Sequence, residues 1–157
     1  MKVSFRILLM VALVAFAGCG KGGDATPDTE AMVEGVEPDY VEVQHLLVSY
    51  QGPIPNVTRT LEEAEALANE LFERAQSGVD FDSLVEEYTN DQHPGIYFMY
   101  NVGIEPHPDR EGLQYARTGM VKSFGDVGFS LQVGEFGMAV FDSTDSRYGW
   151  HIIKRLK

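Results

Sequence analysis

This 157-residue chain has little cysteine and little positive charge. Its single cysteine, Cys19, excludes an intrachain disulfide. Twelve Lys and Arg residues stand against 24 Asp and Glu residues. Because phosphate contacts need clustered positive charge, we expect no nucleic acid partner. No apolar run reaches the roughly 20 residues that a permanent membrane-spanning helix needs.

Apolar material is nevertheless plentiful. Hydrophobic residues make up 44% of the chain and aromatic residues 11%. This composition supports a packed core, and the length suits one folded domain. Disorder of the whole chain is therefore excluded.

The first residues form a separate unit. Lys2 and Arg6 precede the apolar stretch ILLMVALVAFAG, which is typical of a signal peptide. Small residues then lead into Cys19, and the arrangement resembles the lipobox of bacterial lipoproteins, although Phe16 stands where that motif usually has Leu. The resemblance implies residues 1–19 as a lipoprotein signal peptide with lipidated Cys19. The alternative is an ordinary secretory signal that leaves a free thiol.

Residues 20–38 are rich in Gly, Pro and acidic residues and show no helical or strand period. They predict a flexible acidic tether between the anchor and a folded domain at 39–157. An anionic membrane would repel this acidic domain, so we expect contact with a membrane through the lipid anchor.

Alternation in VEVQHLLVSY predicts a first strand with Val41, Val43, His45 and Leu47 on one face. Thr60 and Glu63 form a capping-box pattern that predicts the start of a helix, and Gly78 predicts its end. Asp80 predicts the cap of a second, shorter helix.

The segment from Asp91 to Thr118 has no convincing period, and we interpret it as a long loop with one short strand near 96–100. A short helix is predicted near 121–131 and a strand near 137–141. RYGWHIIKRL predicts the closing strand. This order favours an α+β fold, with helices packed on an antiparallel sheet.

Four segments in this order resemble the parvulin family of peptidyl-prolyl isomerases over residues 40–157: QHLLV, SGVDFDSLVEEYTND, GMVKSFGDVGFSLQVGEFG and YGWHIIKRL. The resemblance implies a parvulin-like, four-stranded antiparallel sheet surrounded by helices. It also implies peptidyl-prolyl cis-trans isomerase activity on unfolded or extended X-Pro segments, without a cofactor. No oligomeric state follows from it.

Residue by residue, the resemblance implies catalytic roles for His45, Asp91 and His151. It implies substrate-binding roles for Met120, Phe124 and Phe129, although Phe129 could equally be a core aromatic. Asp142 or Ser143 falls near the hydroxyl residue that supports the histidines in the family. We predict no metal site, because the spacing of His93 and His107 fits no established ligand pattern.

Two departures from the family affect the functional prediction. GIYFMYNVGIEPHPDREGLQYARTG replaces the usual GG-x-LG-x-F stretch. The loop after His45 carries Arg59 as its sole cation, which disfavours a phosphorylated substrate. We expect an isomerase that assists the folding of exported proteins at the cell envelope. The alternatives are a catalytically weak chaperone and a scaffold.

Overall fold

A computed structural model describes residues 36–157. The predicted signal peptide, Cys19 and most of the predicted tether lie outside the described residues. Within residues 36–157, no helix is long and apolar enough to cross a membrane. The elements, in chain order, are β1 Tyr40–Val48, α1 Leu61–Gln76, α2 Phe81–Tyr88, β2 Ile96–Tyr100, β3 Tyr115–Ala116, a 3-10 turn Arg117–Gly119, α3 Lys122–Ser130, β4 Phe136–Ala139 and β5 Trp150–Arg155.

The five strands form one mixed sheet in the order β3-β2-β1-β5-β4. β1 pairs antiparallel with both β2 and β5, and β4 pairs antiparallel with β5. β3 runs parallel to β2. The α+β prediction is confirmed. The predicted antiparallel sheet is present as β1, β2, β4 and β5, but a fifth, parallel strand makes the sheet mixed. β3 is only two residues long, so no alternation in the sequence could reveal it.

The central strands are buried on both faces of the sheet. Leu46 and Ile152 pack on one face against apolar residues of α1 and α2. Val43 and Ile153 pack on the other face in a second cluster that includes residues of α3. Because successive side chains of a strand point to opposite faces, odd-numbered positions of β1 and β5 lie on the α3 face. That is the face on which the two strand histidines lie.

The predicted helix starts match the structure. Thr60 Oγ1 accepts a hydrogen bond from the backbone N–H of Glu63 at 3.2 Å, and the Glu63 carboxylate accepts one from the Thr60 N–H at 2.7 Å. Asp80 caps α2 by accepting from the backbone N–H of Ser83. Caps of this kind are typically worth about 1 kcal/mol each. They fix where the helices begin relative to the sheet.

The segment between β2 and β3 packs on the sheet face opposite the strand histidines. The Arg110 guanidinium lies 4.0 Å from the centroid of the Phe98 ring and donates to the Glu42 carboxylate at 2.6 Å. Glu42 and Phe98 are register partners and so share this face. Arg110 in this segment therefore packs on the face opposite the two strand histidines.

Candidate active site

The two strand histidines meet on the α3 face of the sheet. In the β1–β5 register, His45 is opposite Ile153 and His151 is opposite Leu47, so the histidines are diagonal neighbours. His151 Nδ1 lies 2.9 Å from His45 Nε2, and the nearly parallel rings have centroids 4.9 Å apart. Each histidine is only 4% exposed. The pair is thus a buried, hydrogen-bonded dyad.

Burial sets the charge of this dyad. It lowers the pKa of His45 well below the usual value, and nearby His151 lowers it further. Burial also lowers the pKa of His151 to about 4, although the Asp91 carboxylate acts in the opposite direction. Both imidazoles are therefore neutral near pH 7, and each has one donor and one acceptor nitrogen.

Asp91 decides which tautomer of the dyad is favourable. Its Oδ2 atom lies 3.6 Å from His45 Nδ1. A proton on His45 Nδ1 is attracted by the carboxylate, whereas a lone pair on that nitrogen would be repelled by it. The tautomer with the proton on His45 Nδ1 is therefore favoured. His151 Nδ1–H then donates to His45 Nε2. His151 Nε2 remains an acceptor without a hydrogen-bond partner among residues 36–157.

The segment between α2 and β2 holds Asp91 beside the end of β1. The Asn90 side-chain oxygen accepts hydrogen bonds from the Ser49 backbone N–H at 2.9 Å and from the Arg59 guanidinium at 2.6 Å. Thr89 Oγ1 accepts from the Asp91 N–H at 3.2 Å. Thr89, Asn90 and Asp91 thus lie beside the end of β1 where a neighbouring strand would otherwise pair. This position places the Asp91 carboxylate next to His45.

A cavity of about 220 Å³ opens beside the dyad. Most of its wall is apolar, and its polar groups come from the dyad, Asp91 and two tyrosine hydroxyls. Five of the six predicted site residues lie on this wall. The lining residues are His45, Leu47, Ile54, Asp91, Tyr97, Met120, Val121, Phe124, Tyr148 and His151.

Met120 and Phe124 form the apolar side of the cavity at the start of α3. The Phe124 ring lies edge-on to His45, with centroids 5.0 Å apart, and is 2% exposed. Met120 precedes the helix and is half-buried. Met120 lies in extended backbone just before α3 and Phe124 lies in its first turn, and both side chains line the same wall.

Phe129 does not line the cavity. It is 2% exposed and packs in the core with Val41 and Val43. The Arg117 guanidinium lies 4.8 Å from the centroid of its ring. The structure therefore places Phe129 in the core, which was the other interpretation of this residue.

No hydroxyl group supports the dyad among the described residues. Asp142 and Ser143 are both exposed, and Asp142 accepts hydrogen bonds from the backbone N–H groups of Thr144 and Asp145. The buried hydroxyl of Ser146 donates to the Gly149 carbonyl. The alignment of Asp142 or Ser143 with the supporting hydroxyl thus finds no matching contact with His151.

Sequence reasoning missed several wall residues: Leu47, Ile54, Tyr97, Val121 and Tyr148. Tyr97 lies in the predicted strand near 96–100, but only the register with β1, where Val43 is its partner, puts it on the face of His45.

His93 contacts Asp82 at 3.1 Å, whereas His107 lies elsewhere, next to Tyr40. In the part of the chain that the structure describes, no three His, Cys, Asp or Glu residues are grouped as a metal site.

Curated relatives share this domain. The chain is 33% identical over 113 residues to Chaperone SurA of Chromohalobacter salexigens, which covers 71% of the chain and 21% of that protein. It is 30% identical over 105 residues to Foldase protein PrsA 4 of Bacillus cereus, covering 65% and 31%. For Foldase protein PrsA of Geobacillus kaustophilus the values are 32% over 127 residues, covering 80% and 39%. The chain thus spans well under half the length of these relatives.

Solved structures share the fold. Peptidyl-prolyl isomerase ESS1 from Candida albicans superposes with a TM-score of 0.53 at 22% identity, covering 76% of this chain and 63% of that one. The solution structure of TbPIN1 gives 0.56 at 23% identity, covering 76% and 98%. Residues 30–157 also match the family described as the PPIC-type PPIase domain. The parvulin resemblance is therefore confirmed, and this chain belongs to the PPIC-type peptidyl-prolyl isomerase family.

Proposed function

We propose that this protein catalyses cis-trans isomerisation of X-Pro bonds in extended polypeptide segments. The observation that carries the proposal is one apolar cavity whose wall joins Met120 and Phe124 to Asp91 and the neutral histidine dyad. Such a cavity can hold a proline ring next to polar groups that act on its amide bond. Family membership supports the same activity.

The reaction needs no bond to be broken. Rotation about a peptide bond faces a barrier of about 18–20 kcal/mol that comes from amide resonance. An enzyme lowers the barrier by binding the twisted amide better than either planar form. Met120 and Phe124 would hold the ring in an apolar environment while the chain before the proline turns.

Asp91 is the charged group at the cavity wall, with its side chain 33% exposed. We assign it an electrostatic role toward the turning amide, not nucleophilic attack. His45 and His151 are positioning residues in this scheme. They orient Asp91 and the wall, and because burial lowers the pKa of each ring, both are poor proton acceptors.

The X-Pro polypeptide substrate would be unphosphorylated. Arg59, the cation of the loop after β1, already donates to the Ser49 carbonyl and to Asn90. The same loop contributes the apolar Ile54 to the cavity wall. A phosphate near this wall would be repelled by the Asp91 carboxylate, and desolvating it would be costly.

The proposed setting is the bacterial cell envelope, where the protein would assist the folding of exported proteins. The relatives' names, "Foldase protein" and "Chaperone", support a folding role. The predicted signal sequence and Cys19 support lipid anchoring on the extracytoplasmic side of a membrane.

Metabolic labelling with a palmitate analogue tests the anchor: wild type should be labelled and Cys19→Ser should not. Equal labelling of both would refute lipidation at Cys19.

A second candidate is a binding module that holds unfolded chains with little catalysis. The acceptor-only His151 Nε2, which no hydroxyl contacts among residues 36–157, favours this candidate. Two relatives carry the name "Chaperone SurA", which agrees with a chaperone role. In this case the cavity would bind proline-containing chains without accelerating the rotation of their amides.

One experiment separates the two candidates. NMR exchange spectroscopy would measure the isomerisation rate of X-Pro peptides with residues 20–157, which keep every described residue. The variants are Asp91→Ala and, as a matched control, Asp109→Ala, which removes an exposed carboxylate outside this cavity. We expect wild type and the control to accelerate exchange and Asp91→Ala to lose most of the effect. A folded wild type that binds the peptide without acceleration would favour the binding module.

A further inference from the structure

The hydroxyl group of Tyr97 contacts the carboxylate of Asp91. The hydroxyl donates to Asp91 Oδ2 at 2.5 Å. The same oxygen faces His45 Nδ1 at 3.6 Å. One hydrogen-bond donor and one more distant ring nitrogen thus face the same carboxylate oxygen, and His45 Nδ1 has no hydrogen-bond partner among residues 36–157. Among the hydrogen bonds of residues 36–157, none involves the other oxygen, Oδ1.

The Tyr97 ring is held in place from several sides. It packs against the rings of His45, Phe124 and Tyr115 with centroid distances of 5.8, 5.7 and 5.2 Å. Its backbone is fixed by pairing with Val43 of β1. The hydroxyl therefore reaches Asp91 from a rigid strand, whereas Asp91 itself lies in a connecting segment.

The Tyr97 hydroxyl keeps its proton at neutral pH, because its pKa is raised. Burial raises its pKa, and the hydrogen bond to Asp91 raises it further. The hydroxyl is therefore a permanent donor toward this carboxylate. Short hydrogen bonds to a charged acceptor are about twice as strong as those between neutral groups.

We propose that Tyr97 is a positioning residue for catalysis: its hydroxyl locks the Asp91 carboxylate so that Oδ2 faces His45 and Oδ1 is left for the prolyl amide. This inference rests on the proposed function and adds a residue that sequence reasoning did not single out. A free carboxylate would rotate about its terminal torsion, whose energy profile is broad. Locking it removes that freedom before the substrate binds, which is the usual gain from preorganisation.

The test compares Tyr97→Phe with Tyr115→Phe. Tyr97→Phe removes only the hydroxyl and keeps the ring that lines the cavity. Tyr115→Phe removes a hydroxyl from the adjacent ring, which is not part of the cavity wall. We expect Tyr97→Phe to lower kcat about tenfold with KM nearly unchanged, which is a typical effect of losing a hydrogen bond to a charged group. Tyr115→Phe should retain wild-type values.

A double-mutant cycle shows whether Tyr97 acts through Asp91. In an Asp91→Asn background, Tyr97→Phe should cause little further loss, because the positioned charge is already gone. The ¹⁵N chemical shift of His45 Nδ1 should also change in Tyr97→Phe, since the facing carboxylate is released. Circular dichroism and thermal unfolding check that each variant is folded.

Each contrary result has a distinct meaning. Wild-type kcat in folded Tyr97→Phe would refute the positioning role while leaving the proposed function intact. Equal losses in the wild-type and Asp91→Asn backgrounds would also refute it, because Tyr97 would then act independently of Asp91. An inactive, folded wild type would refute the proposed catalysis, and the role of Tyr97 with it.

Discussion

His151 Nδ1 and His45 Nε2 form a 2.9 Å hydrogen bond between residues that are 106 positions apart in the sequence. The bond joins the two central strands of the sheet on the face that carries the cavity. Because both rings are buried and neutral, the pair can keep only one proton between the two facing nitrogens. Charging either histidine would cost stability, and this cost is measurable.

We expect the free energy of unfolding to fall as the pH drops from about 6.5 toward 4. The pKa of each dyad histidine is lower in the folded protein than in the unfolded chain. The unfolded chain therefore binds more protons in this window, and stability present above pH 6.5 is lost with acidification. The slope can reach about 1.4 kcal/mol per pH unit for each histidine. Urea unfolding at pH 7.5, 6.5, 5.5 and 5.0 measures it.

His93→Gln is the control for this experiment, because His93 is exposed. The variant keeps both dyad histidines, so it should keep the fall in unfolding free energy that the dyad causes between pH 6.5 and 5.0. Stability that is flat over this window in wild type would contradict the burial of a neutral dyad.

Met120→Ala should lower kcat/KM about tenfold or more on X-Pro peptides. Removing apolar contacts from a substrate pocket typically costs about 1–3 kcal/mol of transition-state binding. Because Met120 is only half-buried, the thermal unfolding temperature should change little. Val133→Ala, which truncates an exposed valine outside the cavity, should behave like wild type. A fully active Met120→Ala would remove Met120 from the substrate site.

Substitutions of Phe129 test whether this residue belongs to the hydrophobic core or to the substrate-binding cavity. We expect Phe129→Leu to keep kcat/KM within about twofold of wild type, because the ring does not line the cavity. Phe129→Ala should lose about 3–5 kcal/mol of unfolding free energy, as is usual for a buried phenylalanine. Chemical unfolding and isomerisation assays measure the two effects. A stable Phe129→Leu with a large loss of kcat/KM would restore Phe129 to the substrate-binding group.

Gly95→Ala should reduce both stability and activity. Gly95 has φ +67°, and a Cβ atom there would collide with the carbonyl oxygen of His45. The Gly95 carbonyl also accepts a hydrogen bond from the His45 N–H at 2.9 Å. The substitution would therefore push the Asp91 segment away from β1. Differential scanning fluorimetry and the peptide assay measure both effects.

Gly103→Ala is the matched control, since Gly103 has φ +80° but nothing within 4 Å of an added Cβ. It should show the backbone strain alone, with activity retained. Equal effects of the two substitutions on activity would show that close approach to His45 is unimportant.

The sequence reveals much of the fold because local patterns determine much of it. The capping box at Thr60 and the alternation in β1 predict elements that the structure contains at nearly the same residues. β3 was missed because two residues pair through backbone groups alone and leave no side-chain period. The parallel direction of β3 follows from the path of residues 101–114, which no local pattern encodes.

Site residues were predictable from the sequence only where they lie in the segments that resemble the parvulin family. His45, Asp91, Met120, Phe124 and His151 lie in such segments, and all five line the cavity. Tyr97 belongs to the replaced stretch, so its position depends on the strand register with Val43. Phe129 falls in a matched segment, yet helix geometry turns it into the core.

The β1–β5 pairing makes the dyad a property of the finished fold. His45 and His151 are 106 positions apart, so the chain has no dyad until β5 docks beside β1. Contacts of such long sequence separation form late and slowly in general. Denaturant should accordingly abolish activity and overall structure in a single transition, because no smaller folding unit contains both halves of the site.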